Sequence, residues 1–145
     1  MDGGEVLEVF IQATNAAIHG RVYINSVWTA DFYTVDGTPE TVMGGASLTA
    51  TTVTQPNGTF VFLAYVASNS FLTVQSRGTL NVTQYNTFSS PVNVMQGDGE
   101  SETGLGAVGI EGAPKIYFGT GQKILELSGS AVTATNWTQV DVTSL

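Results

Sequence analysis

The chain has 145 residues, of which 42% are hydrophobic and only 11% are charged, less than half the roughly 25% of an average domain. Twelve acidic residues face four basic ones (Arg21, Arg77, Lys115 and Lys123), for a net charge of −8, so the clustered cations that nucleic acid or an anionic membrane surface requires are missing. There is no cysteine, which excludes disulfides and thiolate zinc sites.

Short runs rich in Val, Ile, Thr, Tyr and Phe recur along the whole chain and predict strands. They begin with Glu8 to Ile11, Arg21 to Ile24, Ala30 to Val35 and Ser47 to Thr54. Phe60 to Ala67, Phe71 to Gln75 and Thr79 to Tyr85 follow. The last are Leu105 to Ile110, Lys115 to Phe118, Lys123 to Leu127 and Trp137 to Val142. Turns are expected at Asp36-Gly37, Pro56-Asn57-Gly58, Ser76-Arg77-Gly78, Gly119-Thr120-Gly121 and Ser128-Gly129-Ser130. No long stretch carries an unbroken 3.6-residue apolar period. Ala13 to Ile18 could make at most one helical turn, and extended chain is favoured there. Gly97 to Gly106, with Asp98, Glu100 and Glu102 among glycines, reads as a surface connection.

The strands group into three related units, roughly residues 1–46, 47–96 and 97–145 of a single domain. Their middles read Gly20-Arg21-Val22-Tyr23-Ile24, Phe62-Leu63-Ala64-Tyr65-Val66 and Lys115-Ile116-Tyr117-Phe118, with Tyr23, Tyr65 and Tyr117 as the matching residues. Four strands per unit at a spacing of about 40 to 50 residues mark a propeller blade. The expected fold is therefore all-β and β-propeller-like, with three four-stranded units completed by oligomerisation. A β-trefoil or a β-sandwich is the alternative.

In the third unit, Leu105 to Gly112 runs into Lys115-Ile116-Tyr117-Phe118, then Gln122 to Leu127, then Asn136-Trp137-Thr138. This resembles one blade of the fungal and bacterial fucose-binding lectins, which are six-bladed β-propellers. The likeness covers residues 105–142; the rest of the chain matches in outline. In that family the sugar sits between adjacent blades, held by an Arg, a Glu and an aromatic ring. The resemblance places Lys115 at the Arg position, Glu126 at the Glu position and Trp137 at the Trp position. In the first unit Arg21 fits the Arg position, and Asp31 falls one residue out of register with the Glu position. Leu63 and Thr73 fill those positions in the second unit, so no site is expected there. Lys cannot make the planar two-pronged contact of Arg, which weakens the inference to fucose.

Independently of any family, a glycan needs an aromatic platform and a few fixed polar groups. Lys115, Glu126, Trp137 and Tyr117 supply both in one unit, and Arg21, Asp31 and Trp28 form a smaller set in the first. Each has a bland alternative: Trp137 as a packing residue, Arg21 and Lys115 as surface charges, Glu126 as a solvent-facing strand position. The reading is a non-catalytic, multivalent carbohydrate-binding protein, a lectin whose two chains close a six-bladed ring. A structural sandwich domain of a coat, fibre or adhesin is the alternative.

No enzyme is expected. His19 is the single histidine, no nucleophile is marked, and the glycine pairs precede strands and turns rather than helices, so they cradle no phosphate. Asp98, Glu100 and Glu102 do not complete a calcium loop. Neither a metal nor a cofactor is expected. Met1-Asp2-Gly3-Gly4-Glu5 lacks the basic and apolar regions of a signal peptide, and no apolar run nears the roughly 18 residues of a spanning helix. The expected location is the cytoplasm, or outside after release without such a signal. The Asn-x-Thr sequons at Asn57, Asn81 and Asn136 read as chance in a Thr-rich chain.

Overall fold

Alternating apolar and polar residues with many β-branched side chains favour extended chain, and the computed structural model of the protein contains strands and no helix among its described residues, 7–24, 26–28, 33–35, 42–78, 87–96 and 104–144. The strands are β1 (Leu7–Gln12), β2 (Ile18–Ile24), β3 (Val27–Trp28), β4 (Tyr33–Thr34), β5 (Leu48–Gln55) and β6 (Gly58–Val66). They continue with β7 (Phe71–Gly78), β8 (Val92–Gln96), β9 (Leu105–Ile110), β10 (Ala113–Thr120), β11 (Lys123–Gly129) and β12 (Trp137–Asp141).

They form three separate four-stranded antiparallel sheets. Sheet 1 holds β1 to β4, with both β3 and β4 paired to β2. Sheet 2 runs β5-β6-β7-β8 and sheet 3 runs β9-β10-β11-β12. Sheets 2 and 3 are up-and-down meanders of the kind that makes a propeller blade, whereas in sheet 1 β3 and β4 both lie beside β2. A sandwich would instead have two facing sheets. Tight turns set the register. Glu111 and Gly112, at φ 51° and 79°, join β9 to β10, as a type I′ hairpin requires. Pro56-Asn57 joins β5 to β6, and Gly121-Gln122 joins β10 to β11.

Sheet 2 is the centre of the molecule, because both its faces are covered. Residues of β6 alternate in direction. Val61, Leu63 and Tyr65 pack on Ile18, Val35, Val42 and Phe10 of the first unit. Phe62 and Ala64, with Val53, Leu72 and Val74, pack on Ile116, Phe118, Leu125 and Leu127 of sheet 3. This double coverage explains why Phe60 to Ala67 is a continuous apolar run. The inner strands of sheets 2 and 3, β5 and β9, lie against each other. Gly109 permits that approach, since a Cβ there would fall 2.4 Å from the Thr52 carbonyl oxygen.

Three sequence expectations need correction. Ser76-Arg77-Gly78 is not a turn, because β7 continues to Gly78 with Arg77 opposite Val61 and Gly78 opposite Phe60. Ser128 and Gly129 belong to β11, and the turn follows them. The last strand of sheet 2 among the described residues is Val92–Gln96, paired with β7. The expected strand at 79–85 lies outside the described residues, as do Asp36-Gly37 and most of the connection at 97–106. Ala13 to Ala17 makes a tight turn, closed by the Ala13 amide donating to the Ala17 carbonyl at 2.9 Å.

Candidate functional site

The antiparallel register of β10 and β11 sets Lys115 opposite Ser128 and Tyr117 opposite Glu126. All four side chains therefore project from the face of sheet 3 turned away from sheet 2. Glu126 is the hub. Lys115 Nζ donates to its Oε1 at 2.7 Å, Ser128 Oγ donates to the same oxygen at 2.8 Å, and Tyr117 Oη donates to Oε2 at 2.7 Å. These hydrogen bonds, Lys115's first, hold the Glu126 carboxyl well below its ordinary range, at about 2. The same bond to Glu126 raises Lys115 and Tyr117 above their usual values.

The cluster is not saturated. A carboxylate offers about four acceptor sites and an ammonium three donors; among the described residues three acceptor sites and one Nζ donor are in use. One acceptor site, on Oε2, and two Nζ donors stay available. Around them the exposed side chains of Val108, Ile110, Ile124 and Val140 give an apolar rim. A fixed donor and acceptor beside an apolar margin suits a ligand carrying both hydroxyls and C–H surface.

Trp137 is not part of this cluster. It pairs with Gly129, which puts it on the opposite face, with its ring 6.0 Å from that of Phe62 and its Nε1 donating to the Ala134 carbonyl at 3.0 Å. The ring covers Gly129 so closely that a Cβ there would be 2.9 Å away. Arg21 and Trp28 come together at the far end of the molecule. On the outer face of sheet 1 the Arg21 guanidinium lies 5.7 Å from the Trp28 ring, and Tyr23 lies 5.1 Å from Trp28. Asp31 lies outside the described residues. In sheet 2, Leu63 and Thr73 are fully buried.

The faces also separate the three matched tyrosines. Tyr23 and Tyr65 point back along the stack, toward lower-numbered sheets, whereas Tyr117 points forward. The third unit is thus displaced by one residue in the sequence match, and one residue of slip exchanges the faces of a strand.

A second polar cluster was not anticipated from sequence. At the junction of sheets 1 and 2, the Arg77 guanidinium pairs with Glu8, which also accepts from the Tyr33 hydroxyl. Both charged side chains are nearly excluded from water, at 5% and 11% exposure, and Arg77 lies 5.3 Å from the Phe88 ring. Burial pushes the Glu8 carboxyl above its ordinary value, against the pull of Arg77. Glu8 and Arg77 are 69 residues apart, and no local signal joins them. Among the described residues no cluster of three or more acidic, His or Cys side chains could hold a metal.

No protein-family model and no curated protein matches the chain. Among solved structures it is similar in fold to a triple arginine-to-alanine mutant of AofleA from Arthrobotrys oligospora, with a TM-score of 0.63 at 10% identity. The likeness covers 94% of this chain and 38% of that one, so the chain spans well under half the length of the protein it matches.

Proposed function

We propose that the protein is a non-catalytic carbohydrate-binding protein, a lectin, that takes a glycan on the outer face of sheet 3. The observation that carries this is the half-satisfied Lys115–Glu126 pair inside an apolar rim. Its free donor and acceptor would bind vicinal hydroxyls, and the rim would meet the C–H face of a sugar. A Glu held at about 2 stays ionised at neutral pH and makes a poor general acid or base, which works best near the operating pH. The blade-like resemblance of residues 105–142 favours a fucosylated glycan, and the fold shared with AofleA supports the propeller architecture that family uses. Three sheets are half of a six-bladed ring. A pair of chains would complete it and present several weak sites together, gaining avidity.

Glycan-array binding with fucosylated and fucose-free panels tests this directly. Lys115→Ala and Glu126→Ala should each weaken binding about tenfold or more, the loss of a hydrogen bond to a charged group. Trp137→Ala, on the other face, should retain binding in any preparation that stays folded. Silence of the wild type on every glycan, or full binding by Glu126→Ala, would overturn the proposal.

A further inference from the structure

The β5–β6 hairpin carries a reactive pair that glycan binding does not use. Pro56 and Asn57 are the whole connection, both exposed, and Gly58 follows in the last pair of the ladder, opposite Gln55. An asparagine followed by glycine can react with its own main chain. The attacking atom is the amide nitrogen of the next residue, and glycine alone has no Cβ to crowd it. The space beside Gly58 is open, since a Cβ built there meets nothing within 4 Å.

The described residues include Asn15, Asn57, Asn69, Asn93 and Asn136, and all are exposed, so exposure does not single one out. Their engagement does. The Asn15 and Asn69 side-chain carbonyls accept from the Ala17 and Phe71 amides at 3.2 and 3.1 Å. Asn93 accepts from Thr73 Oγ1 at 3.0 Å. Asn136 precedes Trp137, whose ring is packed into the sheet. Asn57 has no side-chain hydrogen bond to any described residue, and it alone among them precedes glycine.

We propose that Asn57 is a site of spontaneous modification, converting to isoaspartate and aspartate through a succinimide closed onto Gly58. The Gly58 nitrogen attacks Asn57 Cγ. The N–Cγ bond forms, the Cγ–Nδ2 bond breaks, and the amide proton passes through water to the departing group, which leaves as ammonia. One water then opens the ring. Opening at the side-chain carbonyl gives aspartate. Opening at the main-chain carbonyl gives isoaspartate, in which the chain runs through the former side chain. Nothing is oxidised or reduced, and water is the only co-reactant. The ladder opposes the reaction, because Gly58 must leave its pairing with Gln55. That pair is the terminal one beside an exposed turn, and such ends open at the least cost.

Isoaspartate adds a methylene to a two-residue connection whose length sets the register of the hairpin. β6 cannot slip to absorb it, because its centre is buried on both faces. The change therefore stays at the tip. There the Gln55 side chain donates to the Gly112 carbonyl of the β9–β10 hairpin at 2.8 Å. This contact ties the tips of sheets 2 and 3 together, and the modification releases it.

The test uses the purified full chain, incubated at mildly alkaline pH in heavy-oxygen water and mapped by peptide mass. Isoaspartate is read by labelling with an isoaspartyl methyltransferase. The Asn57 peptide should take up one heavy oxygen and one further negative charge, with isoaspartate at that position, while Asn15, Asn69, Asn93 and Asn136 remain amides. Asn57→Gln, which would have to close a larger ring, should lose the conversion on the same timescale. An intact Asn57 in the folded protein, beside conversion in a urea-unfolded sample, would mean that the ladder protects the amide and overturn the proposal. Conversion at any of the other four ahead of Asn57 would overturn it too. In converted protein, hydrogen exchange should quicken at the β5–β6 tip and around Gly112 and stay unchanged from Phe62 to Tyr65. Unchanged exchange at the tip, or faster exchange along the whole of β6, would refute the local release.

Discussion

The two internal junctions share an apolar centre but differ in what surrounds it. Between sheets 2 and 3 the contact is apolar throughout its buried centre, with Phe62, Val53 and Val74 against Ile116, Leu125 and Leu127. Between sheets 1 and 2 the rear face of sheet 2 is polar along β7. Thr73, Gln75 and Arg77 are all buried there, with the Tyr65 hydroxyl donating to Gln75 at 2.9 Å and Arg77 paired to Glu8. An apolar contact tolerates sliding and repacking. A buried ion pair is weak as a source of stability but demanding in geometry, so the junction of sheets 1 and 2 adds an orientation-fixing pair to its apolar contact, and the junction of sheets 2 and 3 relies on apolar contact.

Removing one partner of the buried pair should expose the difference most sharply. Arg77→Met leaves Glu8 buried without its cation, a loss of about 3–5 kcal/mol. The sign with pH is set by Glu8, whose carboxyl is already raised by burial and rises further without Arg77. A group whose folded value is raised contributes its stability below its unfolded value and loses it as pH climbs. The variant should therefore be penalised more at pH 7 than at pH 4 in urea unfolding. An equal penalty at both would mean that water reaches Glu8.

At the apolar junction Leu127→Ala should cost about 2–5 kcal/mol, with no change between pH 4 and pH 7. Leu127 is 2% exposed and packs in an apolar cluster. The two variants together compare the junctions in one experiment, and a pH-dependent Leu127→Ala would erase the distinction.

A smaller effect is expected where an aromatic ring covers a glycine. Trp137 lies over Gly129 as Tyr33 lies over Gly20, each across a paired position in its sheet. Gly129→Ala pushes a methyl against the indole and should cost about 1–3 kcal/mol, the range for overpacking. It should also alter tryptophan fluorescence. If stability rises instead, the ring has room to move and the close fit is incidental.

What could be read from the residues follows from range. β5, β6, β9 and β11 are legible because β-branched runs and turn pairs are local. The continuous run through β6 even signals coverage on both faces. β8 was missed because it begins directly after Pro91, and a proline demotes a strand unless the strand is an edge, as this one is. The Lys115, Tyr117 and Glu126 grouping was legible because a two-residue hairpin fixes their register. Trp137 could not be placed the same way. It follows a longer connection after Gly129, and whether it shares a face with Glu126 depends on a register no local pattern encodes. The Glu8–Arg77 pair spans two units and leaves no trace in either.

The smallest effect on stability should come from the candidate site itself, which separates it from both junctions. Glu126 is 15% exposed and Lys115 30%, so water screens the pair, and exposed ion pairs contribute little. Lys115→Met should leave the unfolding midpoint at neutral pH nearly unchanged. Its signature lies in titration. Glu126 is held at about 2, chiefly by Lys115, and a depressed carboxyl contributes its stability above its unfolded value and loses it as pH falls toward the folded one. Side-chain carboxyl NMR should follow Glu126 titrating near 2 in the wild type and upward of that in Lys115→Met, with Tyr117 and Ser128 still donating. An unshifted Glu126 would mean that Lys115 is not its partner in solution. The site would then offer a bare carboxylate, whose acceptors could hold a hydroxyl but which lacks the adjacent donors that suit it to a sugar.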